Sequence, residues 1–460
     1  MPSREFEIQN NFCVLPWQHI NLKDDGTVML CCQGPRIKDG QGKAMTVYEH
    51  SIEEIWNSAD MRAMRSKMVA GERVAGCKQC WVVEDRGGIS RRLQSNGMFF
   101  RAGGEIAQLK ADAKKADYFC HTLPHDYQMD MGTACNLKCR TCDSGSSSKI
   151  ASDPVHRSWE LLRQTIKLKE RAQITAELPS VEANASDAQS ITAVGERPTA
   201  PWFEDAKFLT GALFENVKEV TGVHVIGGEP LVIRHLPTIV QHIATNGHPE
   251  RVTLGLTTNG TLFDETLLEP MTRFGNLSIS VSIDGLGDYF DYIRYPGKWA
   301  KIVENLDRYA SMPNVALSIL PTFHIYNALH FTDLLRFCDA RGVRVIFNPL
   351  VSPAYLAASV LPPAVRRVAI ERLRKYAASV DQQRRIFAES LAQELAEKGD
   401  GIDRELLRYF MLFTNDLDST RTLKFKDVCA ETVALMAQDG IEWIDETLYA
   451  ESAAQDCRAG

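Results

Sequence analysis

The sequence predicts an α/β protein built around a parallel sheet, either curled or open. Short apolar runs alternate with helical stretches between residues 125 and 353, which is typical of strands joined by crossover helices. Cys-rich turns and short elements precede this region, and a helical pattern follows it. We therefore expect a small amino-terminal domain, a central α/β region and a helical carboxyl-terminal region.

Changes of pattern give the boundaries of these regions. Residues 1–104 form the predicted amino-terminal domain, 105–124 a connector, 125–353 the α/β region and 354–460 the helical region. The tract 168–201 is rich in Ala, Glu, Ser and Thr and poor in large apolar residues. Because such a tract cannot bury much apolar surface, we predict a mobile insertion.

Individual elements follow from local signals. A hairpin is predicted around the turn Asp24-Asp25-Gly26, and a helix starts at Ser51, where the capping-box pattern places a Glu three residues later. The predicted strands of the α/β region are Tyr127–Met131, Val223–Ile226, Val252–Thr257, Leu277–Ile283, Val315–Leu320 and Val343–Phe347. The helices predicted between them include Leu231–Thr245, Glu265–Phe274, Trp299–Ser311 and Ala328–Arg341.

Composition excludes several classes of protein. The 460-residue chain is 44% hydrophobic and carries a net charge of −7, so no global basic field attracts nucleic acid. No apolar run approaches the roughly 18 residues of a membrane span. The first ten residues, MPSREFEIQN, lack the pattern of a signal segment. We therefore expect a cytoplasmic protein in a reducing environment, with no membrane partner.

Three cysteines lie close together directly after the first predicted strand of the α/β region. Cys135, Cys139 and Cys142 offer three soft ligands, which can bind one face of an iron–sulfur cube and leave the fourth iron open. A structural zinc site normally has a fourth Cys or His nearby, and none follows in this loop. A reducing compartment disfavours disulfides. The spacing therefore favours an iron–sulfur site.

The C-x3-C-x2-C spacing after the first strand resembles the radical S-adenosylmethionine (radical SAM) enzymes. The resemblance extends over about residues 127–352 and implies a partial (β/α)6 barrel. It also implies a [4Fe–4S] cluster whose open iron binds S-adenosylmethionine. Reductive cleavage of that cofactor gives a 5′-deoxyadenosyl radical that abstracts a substrate hydrogen, with electrons from an external donor such as flavodoxin or ferredoxin.

Further motifs match family segments that bind S-adenosylmethionine. The resemblance places Gly227, Gly228 and Glu229 at the methionine ammonium, and it places hydroxyl, amide and carboxylate groups at the ribose and the methionine carboxylate. Thr141 stands where the family commonly has an aromatic residue against the adenine, so we expect adenine packing to be weaker or supplied elsewhere. The second group of cofactor-binding residues comprises Thr258, Asn259, Ser282 and Asp284.

The early cysteines resemble the twitch domain, the short form of the SPASM auxiliary-cluster domain. That pattern implies a second [4Fe–4S] cluster whose four irons all have protein ligands, although the domain usually follows the radical SAM domain rather than preceding it. Cys32 is an alternative to Cys31, and a four-thiolate zinc site is the structural alternative to a cluster. The predicted ligands are Cys13, Cys31, Cys77 and Cys80.

The reaction is predicted less sharply than the cofactors. An auxiliary cluster that accepts the substrate electron suits oxidative modification or cross-linking of a peptide or small molecule. Redox-neutral epimerisation is the alternative and needs a hydrogen donor, for which Cys120 or Cys338 is available. An iron–sulfur electron-transfer or binding protein is an alternative of another class, and an RNA-modifying radical enzyme is a minor one.

Overall fold

The computed structural model of the chain describes residues 11–85, 89–162, 200–350 and 352–449. All but the last two residues of the predicted insertion 168–201 lie outside these described residues. The chain forms two compact units. Unit 1 comprises residues 1–132, 191–257 and 264–278, and unit 2 comprises residues 133–190, 258–263 and 279–460.

Unit 1 contains a largely parallel sheet with the strand order β2-β1-β3-β4-β5. The amino-terminal hairpin pairs β1 with β2 antiparallel, and β1 then pairs parallel with β3, so the hairpin extends this sheet. Gly26 occupies its turn with a φ of +78°, which an L side chain rarely adopts. The strands are β1 His19–Leu22, β2 Val28–Met29, β3 Asp126–Asp130, β4 Gly222–Ile226 and β5 Thr253–Thr258, whose last residue falls in unit 2.

The two faces of this sheet differ in polarity. One face carries fully buried apolar side chains, such as Ile20, Tyr127 and Val223, which stand in register on neighbouring strands. Buried parallel strands are normally apolar on both faces. The opposite face instead carries His19, Asn21, Asp126, Gln128, His224 and Thr257.

The helices of unit 1 start where the sequence supplies caps. Ser51 and Glu54 form the predicted capping box, with reciprocal bonds between their side chains and backbone N–H groups. The Ser58 side chain accepts the N–H of Met61 at the start of helix Ala59–Val69, and the Ser90 side chain accepts the N–H of Leu93 at the start of helix Arg91–Arg101. The helices are Ile52–Trp56, Ala59–Val69, Lys78–Asp85, Arg91–Arg101, Ile106–Lys115, Ala206–Thr210, Leu236–Asn246 and Glu265–Leu268.

Unit 2 is mainly helical, with a smaller parallel sheet. Its strands follow the order β6-β7-β9, and β8 pairs with β10. These strands are β6 Asn276–Val281, whose last three residues belong to this unit, β7 Val315–Ile319, β8 Thr322–Phe323, β9 Arg344–Val345 and β10 Asn348–Pro349. The helices are Ser148–Ala151, Asp288–Ile293, Trp299–Ser311, Phe331–Ala340, Pro363–Ala377, Gln382–Ala396, Arg404–Ser419, Phe425–Val428 and Ala430–Gln438, with residues 154–162 also helical.

The predicted α/β class, with parallel strands and a helical carboxyl-terminal region, is confirmed. Among the described residues, neither set of strands closes into a barrel. None of the described helices combines the length and apolar character that a bilayer crossing requires.

Candidate cofactor and cluster sites

The loop Cys135–Cys142 lies in unit 2 and is fixed through its backbone. The N–H of Lys138 donates to the carbonyl of Tyr295 at 2.6 Å, and that of Arg140 donates to the carbonyl of Ile293 at 2.9 Å. Both acceptors lie at the carboxyl end of helix Asp288–Ile293. This helix therefore sets the path of the loop between its cysteines.

Arg140 anchors the same loop through its side chain. Its guanidinium is fully buried, lies 3.6 Å from the ring centre of Tyr292 and donates to the Tyr292 carbonyl at 2.9 Å. It also forms an ion pair at 2.5 Å with Asp418, which accepts a further bond from the Tyr292 hydroxyl at 3.0 Å. Sequence reasoning missed Asp418, because no local pattern connects residues so far apart in the chain.

The three thiols of the loop have different surroundings. The Cys135 sulfur lies 3.4 Å from the N–H of Leu137 and 3.9 Å from Nδ2 of Asn259, both of which donate towards it. Cys139 and Cys142 share a hydrogen bond, which lowers the pKa of Cys139 and raises that of Cys142. Three soft donors in one fixed loop fit a three-thiolate cluster.

Arg294 brings a positive charge to this loop. The hydrogen bond with Cys142 is the main cause of the lowered pKa of Cys139, and the attraction of Arg294 lowers it further against the effect of burial. Its guanidinium forms an ion pair at 2.8 Å with Asp284, whose other oxygen accepts the N–H of Thr322 at 2.8 Å. The Asp284 carboxylate is completely buried, so it holds Arg294 in place.

One of the predicted cofactor residues, Asn259, contacts the cysteine loop within unit 2. Asn259 donates to the side chain of Asn136 at 2.8 Å, which joins the end of β5 to the loop. The Ser282 N–H donates to the carbonyl of Thr258 at 2.8 Å. Thr141 is half-buried between the second and third cysteines.

The predicted GGE segment lies in unit 1, directly after β4. The N–H of Gly228 donates to the carbonyl of Gly132 at 2.8 Å, and a Cβ on Gly227 would lie 2.7 Å from the same oxygen. Glu229 is fully buried, and its carboxylate accepts the N–H of Leu231 at 3.1 Å. This close backbone contact alone requires glycine at position 227, whether or not a ligand binds there.

Unit 1 brings Cys13, Cys31, Cys77 and Cys80 to the lining of one small cavity, called the auxiliary cavity below. All four residues are buried, whereas Cys32 is exposed and does not line this cavity. Four thiols around a cavity suit a cluster with a full set of protein ligands. In the described part of the chain, no three His, Cys, Asp or Glu side chains already converge on a position for a single metal ion.

Two features of unit 1 build this cavity. A Cβ on Gly76 would lie 2.5 Å from Cβ of Pro35, so glycine lets the segment before Cys77 approach the turn after Cys31. Asn96, on helix Arg91–Arg101, accepts the N–H of Val14 at 2.9 Å and donates to the carbonyl of Phe12 at 2.8 Å. The helix thereby fixes the backbone on both sides of Cys13, a role that the sequence did not reveal.

Burial dominates the acidity of the thiols in this cavity. It raises the pKa of Cys31 to about 11 and that of Cys77 to about 12, and it raises the pKa of Cys13 further. Because thiolates are the ligands, a metal or cluster must displace these protons on binding.

The two predicted hydrogen donors lie elsewhere. Cys120 is half-buried in unit 1, where its backbone bonds to the side chain of Asn57 at 2.8 and 2.9 Å. Cys338 is fully buried in helix Phe331–Ala340 of unit 2, and burial raises its pKa to about 12. A role for either residue as a hydrogen donor stays a prediction.

Two family models match the chain. The model of the Radical SAM superfamily matches residues 193–338, and the model of the SPASM iron–sulfur cluster-binding domain matches residues 13–81. The chain contains a radical SAM domain preceded by a SPASM domain. The predicted resemblance is thus confirmed, together with its cofactors: a [4Fe–4S] cluster with S-adenosylmethionine, and auxiliary iron–sulfur. The first match begins after the cysteine loop, so the ligand role of that loop is not part of it.

More distant similarities extend over parts of the chain. A GTP 3′,8-cyclase from Syntrophomonas wolfei is 30% identical over 119 residues, which are 25% of this chain and 36% of that protein. SuiB from Streptococcus suis, bound to S-adenosylmethionine, is 14% identical over 59% of this chain and 52% of that chain, with a TM-score of 0.35. A structure of anSMEcpe with bound AdoMet is 16% identical over 38% of this chain and 51% of that chain, with a TM-score of 0.30. The chain therefore spans about a third of the length of this curated relative and about half of the length of these two chains.

Proposed function

We propose that Cys135, Cys139 and Cys142 hold the [4Fe–4S] cluster of the radical SAM domain, and that the protein cleaves S-adenosylmethionine reductively to remove a substrate hydrogen. One arrangement carries this proposal. Three thiols stand in one anchored loop, with N–H donors aimed at Cys135 and the charge of Arg294 beside the other two. Three ligands leave the coordination site that the chemistry needs.

When bound, the cluster and S-adenosylmethionine supply an electron, an open iron and a 5′-deoxyadenosyl radical. The protein's own residues provide placement and charge. Arg140 fixes the loop from inside, because its buried guanidinium joins the loop to Tyr292 and Asp418. Hydrogen bonds and a cation near thiolates favour the more negative state of an iron–sulfur site.

The cofactor pocket follows from the predicted motifs. We assign Gly228, Glu229, Thr258, Asn259 and Ser282 as contacts of S-adenosylmethionine, on the matching family segments. Asp284 acts through Arg294, since its carboxylate is already engaged in the ion pair and with the N–H of Thr322. Thr141 and Gly227 stay in the predicted pocket, the first as the position next to the adenine.

The auxiliary cavity is assigned to a second [4Fe–4S] cluster with Cys13, Cys31, Cys77 and Cys80 as ligands. The four buried thiols that line one cavity support this assignment. Exposure of Cys32 favours Cys31 as the ligand. Zinc bound by the same four thiols is the alternative, and metal analysis separates the two: about four iron and four sulfide per site against one zinc.

We propose oxidative modification or cross-linking of a peptide or small molecule as the outcome, with the auxiliary cluster as the acceptor of the substrate electron. The pairing of an open cluster with a fully ligated one supports an oxidation. An external donor such as flavodoxin or ferredoxin supplies the electron for cofactor cleavage. A reducing, cytoplasmic location fits the described cysteines, which are all free.

The decisive experiment is formation of 5′-deoxyadenosine. The full chain is reconstituted anaerobically with iron and sulfide, reduced with dithionite and incubated with S-adenosylmethionine. We expect 5′-deoxyadenosine from the wild type and none from Cys135→Ala/Cys139→Ala/Cys142→Ala. Cys457→Ala, outside the described residues and the predicted sites, is the matched control. Equal amounts from the triple variant and the wild type would overturn the proposal.

A further inference from the structure

Arg91 and Arg92 both line the auxiliary cavity, but only Arg92 forms an ion pair with a carboxylate among the described residues. Arg92 forms an ion pair with Glu84, with N–O distances of 3.0 and 2.5 Å, and it donates to the carbonyl of Phe12 at 2.7 Å. Its guanidinium also lies 5.0 Å from the ring centre of Trp81. The charge of Arg92 is therefore compensated by protein groups.

Arg91 has no carboxylate in direct contact among the described residues. Its Nε is buried without a hydrogen-bond partner, and Arg91 forms no ion pair with a carboxylate in the ranges that the structure describes. Burial by itself lowers the pKa of Arg91, but attraction from Cys32, Cys31 and Asp126 raises it overall. A guanidinium stays protonated in proteins, so the cavity has a permanent positive charge at its wall.

Arg91 is partly buried and forms no direct ion pair among the described residues, and a cluster would place a negative charge beside it. An oxidised [4Fe–4S] core with four thiolate ligands has a net charge of about −2, which becomes about −3 when one electron is added. The positive charge of Arg91 favours the more negative of these two states. No other uncompensated cation lines this cavity among the described residues.

We propose that Arg91 is the charge partner of the auxiliary cluster and raises its reduction potential, which makes the cluster a better electron acceptor. This inference rests on the proposed assignment of the four cysteines to a cluster. The redox step itself is simple: the cluster gains one electron from the substrate radical or an external reductant, which is oxidised. No bond to Arg91 forms or breaks.

Asp126 provides a second test, in which the reduction potential should shift in the opposite direction. This carboxylate also attracts Arg91, and it bonds to Nδ1 of the buried His19 at 2.7 Å. Because Asp126 partly offsets the field of Arg91, removal of its charge should raise the reduction potential of the cluster. Removal of the Arg91 charge should lower that potential.

The experiment uses the full chain with Cys135→Ala/Cys139→Ala/Cys142→Ala, so that only the auxiliary cluster remains. Iron and sulfide are measured first, and the reduction potential is then obtained by a redox titration monitored by EPR. We expect Arg91→Gln to lower the potential and Arg91→Lys to stay closer to the parent. Arg101→Gln is the matched control, because it removes the same charge from an exposed position on the same helix.

The outcomes separate the two proposals. An Arg91→Gln variant with intact iron and sulfide, but with the potential of Arg101→Gln, would overturn the role of Arg91. If Arg91→Gln does not retain the cluster, Asp126→Asn decides: a raised potential supports the inference, and an unchanged or lowered one overturns it. Absence of about four iron and four sulfide in the parent would overturn the cluster assignment instead.

Discussion

The cysteine loop of unit 2 takes three thiols from eight consecutive residues, whereas the auxiliary cavity of unit 1 collects four thiols from three separate segments. The first set is held mainly by contacts to backbone carbonyls and by Arg140. The second depends on a glycine contact and on a helix that clamps Phe12 and Val14. A site within one short segment can thus be recognised from the sequence, whereas a site assembled from separate segments is recognised only when the tertiary structure is known.

The largest expected effect concerns the compact site. Cys139→Ala removes the buried central thiol of the loop and should abolish formation of 5′-deoxyadenosine, measured by chromatography. The auxiliary variant Cys77→Ala should retain cofactor cleavage but lose oxidised product. Loss of cleavage in Cys77→Ala to the level of Cys139→Ala would erase the distinction between the two sites.

The anchor of the loop is the next test. Asp418→Ala leaves the fully buried Arg140 without its carboxylate and should destabilise the protein by about 3–5 kcal/mol, measured as loss of thermal stability. The double variant Arg140→Met/Asp418→Leu removes both charges and should recover much of that loss. The anchor would be refuted if the single variant proved as stable as the double variant.

A smaller effect is expected where β5 meets the loop. Asn259→Ala removes a donor to Cys135 and to Asn136, and should reduce cofactor cleavage about 10-fold. Iron content should stay close to that of the wild type. Asn246→Ala, on a helix of unit 1, is the control and should keep the wild-type rate. A wild-type rate in Asn259→Ala would remove this residue from the site.

The smallest effect is expected for Cys32→Ala, which tests whether Cys31 or Cys32 is a ligand in the auxiliary cavity. Cys32→Ala should leave the auxiliary cluster intact, because Cys32 is exposed and does not line the cavity. Cys31→Ala should lose about four iron per chain, measured by metal analysis. The opposite pattern in this pair would make Cys32 the ligand.

Much of the fold could be predicted because periodic patterns mark the elements. Helix Trp299–Ser311 is observed with its predicted bounds. The predicted strand Val343–Phe347 is shorter in the structure, where only Arg344–Val345 forms β9. Strand ends depend on pairing partners, which a single sequence does not show.

The polar side of the unit 1 sheet was missed although β3 displays it. Asp126, Gln128 and Asp130 alternate with the buried Tyr127 and Met129, which is the period of a strand with two different faces. The cofactor-binding residues predicted for the α/β region lie at the ends of its strands or in the loops after them, not on the faces of the sheet. The ion pair of Arg140 with Asp418 could not be found in this way, since it depends on tertiary contact alone.

The central claim is that the two sites differ in one respect: only the loop cluster has an iron without a protein ligand. EPR spectra of the reduced protein with and without S-adenosylmethionine test this directly, in two variants that each retain one site. The spectrum should change in Cys13→Ala/Cys31→Ala/Cys77→Ala/Cys80→Ala and stay constant in Cys135→Ala/Cys139→Ala/Cys142→Ala. A change confined to the second variant, or no change in either, would contradict the account.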